Sequence, residues 1–160
     1  PFSWRFGQIF WQWSFFKKGY YAYDPHQSAQ WNRGAYLVQG LGHCGECHTP
    51  RNLLGAMKTK YYLTGAMIDG YWAPDITGLE FRDTPTTEVT DVFDKDQLIN
   101  KSGPVAGPMK EVDHNSLQYL SNYDKDAIAI YLKSIHSEEP RLAKGVPNKP
   151  LLGTGATVYN

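Results

Sequence analysis

Cys44 and Cys47 are the only two cysteines of the chain, and His48 follows directly, in the stretch GHCGECHTPRN over residues 42–52. Two thiols three positions apart with an adjoining imidazole can do three kinds of chemistry. They can cycle as a dithiol and disulfide, contribute to a structural zinc site, or hold a porphyrin through thioether bonds while the imidazole ligates its iron.

The surrounding residues discriminate among these. A redox C-x-x-C pair usually sits at the end of a strand in a parallel sheet, whereas a helical pattern precedes Cys44. A structural zinc takes four ligands, so Cys44, Cys47 and His48 need a fourth from a distant histidine, and the adjacent Cys47 and His48 point in different directions. The haem reading needs no additional protein group for attachment. It is the reading the spacing favours.

A six-coordinate iron needs a second axial ligand, and the sequence offers Met57, Met67, Met109, His26, His43, His114 and His136. Met57 and Met67 follow the attachment site too closely to cross to the other haem face, and are read as flexible core fillers. His43 adjoins Cys44, and His136 falls near the end of the last helix, where solvent is expected. Met109 closes GPVAGPM, a loop whose two Gly-Pro pairs restrict its backbone. Met109 is therefore the expected distal ligand and His114 the reserve. If the iron position were instead open, Met109 would be a bystander and the protein a haem peroxidase.

The elements that must position these residues are mostly helical. In SAQWNRGAYLVQG, Trp31, Gly34, Ala35 and Val38 fall at i, i+3, i+4 and i+7, with Ser28 as N-cap and a stop expected around Gly40 to Gly42. SNYDKDAIAIYLKSIH has Ser121 three residues before Asp124, a capping-box arrangement, followed by a stripe of Ile128, Tyr131, Leu132 and Ile135. FDKDQLINK and EVDHNSLQYL read as short helices. Residues 49 to 90 read as loops with short helical turns, and no strand-period run is apparent.

Composition sets bounds. The 160 residues suit one domain, and hydrophobic residues make up 41%. Sixteen Lys and Arg balance sixteen Asp and Glu, so no basic footprint for nucleic acid exists. The opening PFSWRFGQIFWQWSFF carries eight Phe or Trp in sixteen residues. It is too short and polar to span a membrane and lacks signal-peptide features. It reads as a membrane-interface anchor or as a connector packed between domains, and the second is favoured. Because the chain begins at Pro1, either a leader was removed or it is a piece of something longer.

WNRGAYLVQGLGHCGECHTPRN, YWAPDITG, GPVAGPMKEVDHNSLQYLS and DKDAIAIYLKS together resemble a class I cytochrome c domain. They are most similar to the middle domain of the multi-haem cytochrome c subunits of periplasmic membrane-bound alcohol, gluconate or sorbitol dehydrogenases. The resemblance covers roughly residues 25 to 136. It implies an all-α class I fold in which N- and C-terminal helices cross and loops wrap one haem c. It also implies that Cys44 and Cys47 form the thioethers, His48 is the proximal ligand and Met109 the distal one. Pro50 matches the proline whose carbonyl takes the proton on the far nitrogen of His48. Gly34 and Tyr131 match the contact where the crossing helices meet. Arg51, Trp72 and Thr77 are candidates for the haem propionates.

The resemblance also implies a layout: residues 1–27 as an aromatic connector from a preceding haem domain, 28–138 as the monohaem domain, and 139–160 leading into a following one. GTGATVYN at the end echoes the start of another haem-domain helix. The implied function is electron transfer, with no catalysis by the domain itself. The implied partners are neighbouring haem domains and a dehydrogenase subunit or other redox protein, with membrane contact through association. A free-standing single-haem shuttle is the alternative. Haem c is attached outside the cytoplasm, so periplasm or cell exterior is the expected location.

Overall fold

The computed structural model describes residues 5–95, 98 and 103–137. Its frame is a crossing of two helices. Helix α2, Ala29–Tyr36, begins where the Ser28 hydroxyl accepts from the Trp31 N–H, the expected N-cap. Helix α7, Asn122–Ser134, begins where Ser121 Oγ accepts from the Asp124 N–H. Half of the expected capping box is thus formed. The Asp124 carboxylate pairs with Arg33 of α2 through Nε at 2.7 Å and Nη2 at 3.1 Å.

At the crossing, a Cβ on Gly34 would lie 2.9 Å from the Cβ of Tyr131, so glycine is what lets the two backbones meet. Trp31 packs edge-on against Tyr131, with centroids 5.1 Å apart, and its Nε1–H donates to Ser134 Oγ at 2.6 Å. Tyr131 accepts from Gln39 at 2.6 Å. Val38, Ile128 and Leu132 are buried beneath this seam, each contributing about 1.5–3 kcal/mol by leaving water.

The remaining elements close around that core. Helix α1, Phe6–Phe15, buries none of its residues. Helix α3 is the single turn Gly45–His48. Strands β1, Ala66–Ile68, and β2, Tyr71–Ala73, form an antiparallel hairpin with Met67 opposite Trp72. Helix α4, Gly78–Phe81, is tied to the end of α7 by the Gly78 N–H donating to Ile135 O at 3.0 Å. Helix α5, Thr86–Lys95, buries Val89 and Phe93. Lys125 of α7 donates to Asp94 and to Gln118 O. Helix α6, Pro108–Asn115, is followed by a short 3-10 turn, Leu117–Tyr119.

Two expectations are corrected, and a third is only partly covered by the described residues. A hairpin exists where no strands were expected, because Asp69 and Gly70, at φ 48° and 84°, make the left-handed tight turn that reverses the chain. Of the helix expected at FDKDQLINK, Phe93–Lys95 close helix α5, whose inner face is Val89, Val92 and Phe93, and the remainder apart from Leu98 lies outside the described residues. EVDHNSLQYL is divided, with α6 starting at Pro108 and ending at Asn115. The suggested helix start in GTGATVYN and the connector 139–160 lie outside the described residues, as do six residues between 96 and 102.

Candidate haem attachment site

The turn bearing Cys44, Cys47 and His48 is delivered by a local change of helix pitch. After Tyr36 the chain continues as one wider π turn, Leu37–Leu41, closed by the Gly42 N–H donating to Leu37 O at 2.7 Å. Such turns are often found at functional sites. The Cys44 N–H reaches back to Val38 O at 3.1 Å, and the chain re-enters a helical turn at α3. Cys44 and Cys47, three apart on that turn, lie on one side of it. Both are half-buried free thiols. Burial pushes the Cys44 thiol up to about 11, unlike an activated redox cysteine, whose thiolate is stabilised.

His48, at the last position of α3, is buried. Its Nδ1 lies 2.8 Å from Pro74 O. A carbonyl only accepts, so Nδ1 carries the proton and Nε2 keeps a free lone pair. Burial lowers the imidazole pKa, with the Pro74 bond opposing, which keeps the ring neutral. The ring is thus fixed in the tautomer that ligates a metal through Nε2.

This corrects the expectation for Pro50. The Pro50 carbonyl accepts from the Lys58 N–H at 2.8 Å, and the residue that orients His48 is Pro74, just past β2. Pro50 sits on the backbone leaving α3 and closes the following loop. Pro74 went unassigned in the sequence because a backbone carbonyl leaves no side-chain signature. The motif YWAPDITG contained it.

Met109 is half-buried near the start of α6 and packs against the same apolar cluster as Cys44. Its approach is set by Gly107, the N-cap of α6, at φ 60° and ψ −150°, a region essentially reserved for glycine. A Cβ there would lie 2.7 Å from the Tyr71 ring, so the β-hairpin rests directly on the loop carrying Met109. His114, the reserve ligand, is exposed on α6 beside Gln118. Met57 and Met67 are exposed as well, and are not the core fillers expected of them, because the loop and hairpin that bear them face outward. His136 is exposed, as expected.

The candidates for the propionates are spread. Thr77 is fully buried and its hydroxyl caps α4, accepting from the Leu79 N–H at 3.3 Å. Trp72 is exposed on β2. Arg51 pairs with Glu46 and donates to Gly55 O at 2.7 Å. Trp72 and Thr77 flank Pro74 along the chain, and of this segment Pro74 is the residue bonded to His48, while Arg51 lies on the loop after α3.

The described residues contain no cluster of three or more His, Cys, Asp or Glu side chains suited to a metal ion. No strand precedes Cys44 among the described residues. Two half-buried thiols, an imidazole with Nε2 available and a methionine on the same apolar cluster fit a covalently bound porphyrin.

Comparison with known proteins agrees with that fit. No protein-family model matches the chain. It is 45% identical over 152 residues to a component of the nicotinate dehydrogenase of Pseudomonas putida, covering 89% of this chain and 12% of that protein. It is 43% identical over 121 residues to the fructose dehydrogenase cytochrome subunit of Gluconobacter japonicus, covering 72% and 24% respectively. It is 36% identical over 146 residues to the gluconate 2-dehydrogenase cytochrome c subunit of Pantoea cypripedii, covering 79% and 33%. The chain thus spans between 12% and 33% of the length of these relatives. Its homologues are cytochrome c subunits of dehydrogenases, and the chain is consistent with a cytochrome c domain of such a subunit.

Proposed function

We propose that this chain carries one haem c, bound through thioethers at Cys44 and Cys47 and ligated by His48 and Met109, and that it passes electrons singly between a dehydrogenase and a quinone or terminal acceptor. The observation that carries the reading is the His48–Pro74 hydrogen bond, which presents Nε2 as a ligand directly after two free thiols. The layout of connector 1–27, haem domain 28–138 and connector 139–160 belongs to the same reading, as part of a multi-haem relay. The periplasm or cell exterior is its location, since haem c is attached outside the cytoplasm.

When bound, haem c supplies a ferric/ferrous couple that moves one electron without breaking a substrate bond. The protein residues hold and tune it. Pro74 O fixes the proton on Nδ1 and with it the plane of the His48 ring. The Met109 thioether, softer than a second imidazole, favours the reduced state and raises the potential. Apolar packing by Leu63, Phe81 and Phe93, all buried, disfavours added positive charge. With His48 and Met109 both holding the iron, no position would be left for peroxide, which would set the carrier apart from a peroxidase.

Absorption spectra of the oxidised and reduced protein test the assignment, with a pyridine haemochrome to count thioether bonds. The expected result is a low-spin spectrum with a methionine-to-iron charge-transfer band that Met109→Leu abolishes. A high-spin spectrum with peroxide turnover, or a haemochrome showing free vinyl groups, would overturn it.

A further inference from the structure

Helix α1 has two apolar faces, and only one is turned toward the domain. Trp11 and Phe15 pack on each other, with centroids 5.7 Å apart, and Trp11 Nε1–H donates to Leu54 O at 2.8 Å. These two are the less exposed aromatics of the helix, Trp11 at 38%. On the opposite side Phe6, Ile9, Phe10 and Trp13 fall at i, i+3, i+4 and i+7. There Phe6 is 76% exposed, Phe10 74% and Trp13 85%. At 3.6 residues per turn these four form one outward stripe, about opposite Trp11.

The charges around the stripe have one sign. Arg5 precedes the helix, Lys17 and Lys18 follow it, and no Asp or Glu occurs between residues 5 and 23. All three cations are exposed, and the helix itself bears no charge. The ten-residue helix is too short to cross a bilayer, and no described helix is long and apolar enough to do so. An uncharged apolar stripe ending in Trp13, with flanking cations, matches the acyl–headgroup boundary of an anionic membrane leaflet. There the rings replace lipid contacts and the cations meet lipid phosphates.

We propose that α1 is a membrane-interface element, lying in the plane of an anionic leaflet with Phe6, Ile9, Phe10 and Trp13 inserted and Lys17 and Lys18 at the headgroups. The Trp11–Leu54 hydrogen bond fixes the domain against the helix, so the loop just after the attachment turn is held close to the bilayer surface. This takes the membrane-interface alternative for a segment that can still lead in from a preceding haem domain. It stands independently of haem ligation.

Flotation of the full, haem-loaded chain with phosphatidylglycerol/phosphatidylcholine vesicles tests this, against vesicles of phosphatidylcholine alone. The chain is expected to float with the anionic vesicles. Phe10→Ser with Trp13→Ser should weaken partitioning about ten-fold or more, with the haem spectrum unchanged as a control for folding. Lys17→Gln and Lys18→Gln should each weaken binding to the anionic vesicles about five-fold and remove the preference for them. Absence of flotation with either vesicle, or flotation undiminished by the double serine variant, would overturn the proposal. So would a lipid-independent dimer that the serine variant dissociates, which would assign the stripe to a second copy of the chain.

Discussion

A Cβ placed on Gly34 would sit 2.5 Å from the carbonyl carbon of Ala127 and nearer still to its oxygen. The contact is backbone against backbone, so no rotamer change relieves it. Gly34→Ala should therefore force α2 and α7 apart and cost about 3 kcal/mol or more. Urea unfolding followed by far-UV circular dichroism checks it. A loss below about 1 kcal/mol would mean that the crossing can relax.

Gly107 makes a different demand, on both conformation and space. Gly107→Ala is expected to cost about 1–3 kcal/mol from the disfavoured backbone region, and more from the collision with Tyr71. Shortening Tyr71 to Ala relieves the collision but not the strain. A double-mutant cycle should therefore show partial rescue, of about 0.5 kcal/mol or more, while additive effects would place the ring elsewhere.

The bidentate Arg33–Asp124 pair joins the crossing helices at a partly exposed site. The Arg33 hydrogen bond holds the Asp124 carboxyl below its ordinary value of 3.8. The folded state therefore binds this proton less tightly than the unfolded chain. The pair's contribution is complete above 3.8 and is lost as pH falls through the depressed folded value. Asp124→Asn should cost about 1 kcal/mol or less near neutrality after solvent screening. The gap to the parent protein should close in acid; a gap independent of pH would contradict the pairing.

Replacing the proposed distal ligand should move the redox midpoint in a known direction. Met109→His exchanges a soft thioether for an imidazole and is expected to lower the potential markedly. Met67→Leu, on the exposed hairpin, should leave it essentially unchanged. Redox titration with optical detection distinguishes them, and equal shifts for the two variants would remove Met109 from the iron.

The long helices were legible because their signals are local and redundant. Ser28 and Ser121 cap them, and apolar stripes at helical spacing name the buried face, while the meeting of Gly34 and Tyr131 was implied by the family resemblance alone. The hairpin carried a signal too, Asp69-Gly70 between AMI and YWA, but three-residue strands are too short for alternation to show. Helix α5 was obscured by its acidic surface residues, although Val89, Val92 and Phe93 mark an inner face. The candidate site divides the same way. Cys44, Cys47 and His48 announce themselves by spacing, whereas the Pro74 contact bridges 26 positions through a main-chain oxygen and could be found only in three dimensions.

The small hairpin bears on both sides of the proposed iron. One end leads into Pro74, which grips the His48 ring, and the other offers Tyr71 to Gly107, two residues before Met109. It acts as a calliper whose jaws gauge the gap between imidazole and thioether. Lengthening its tip would leave that gauge unchanged, whereas inserting a residue between Tyr71 and Pro74 would change its setting and disturb both proposed ligands together.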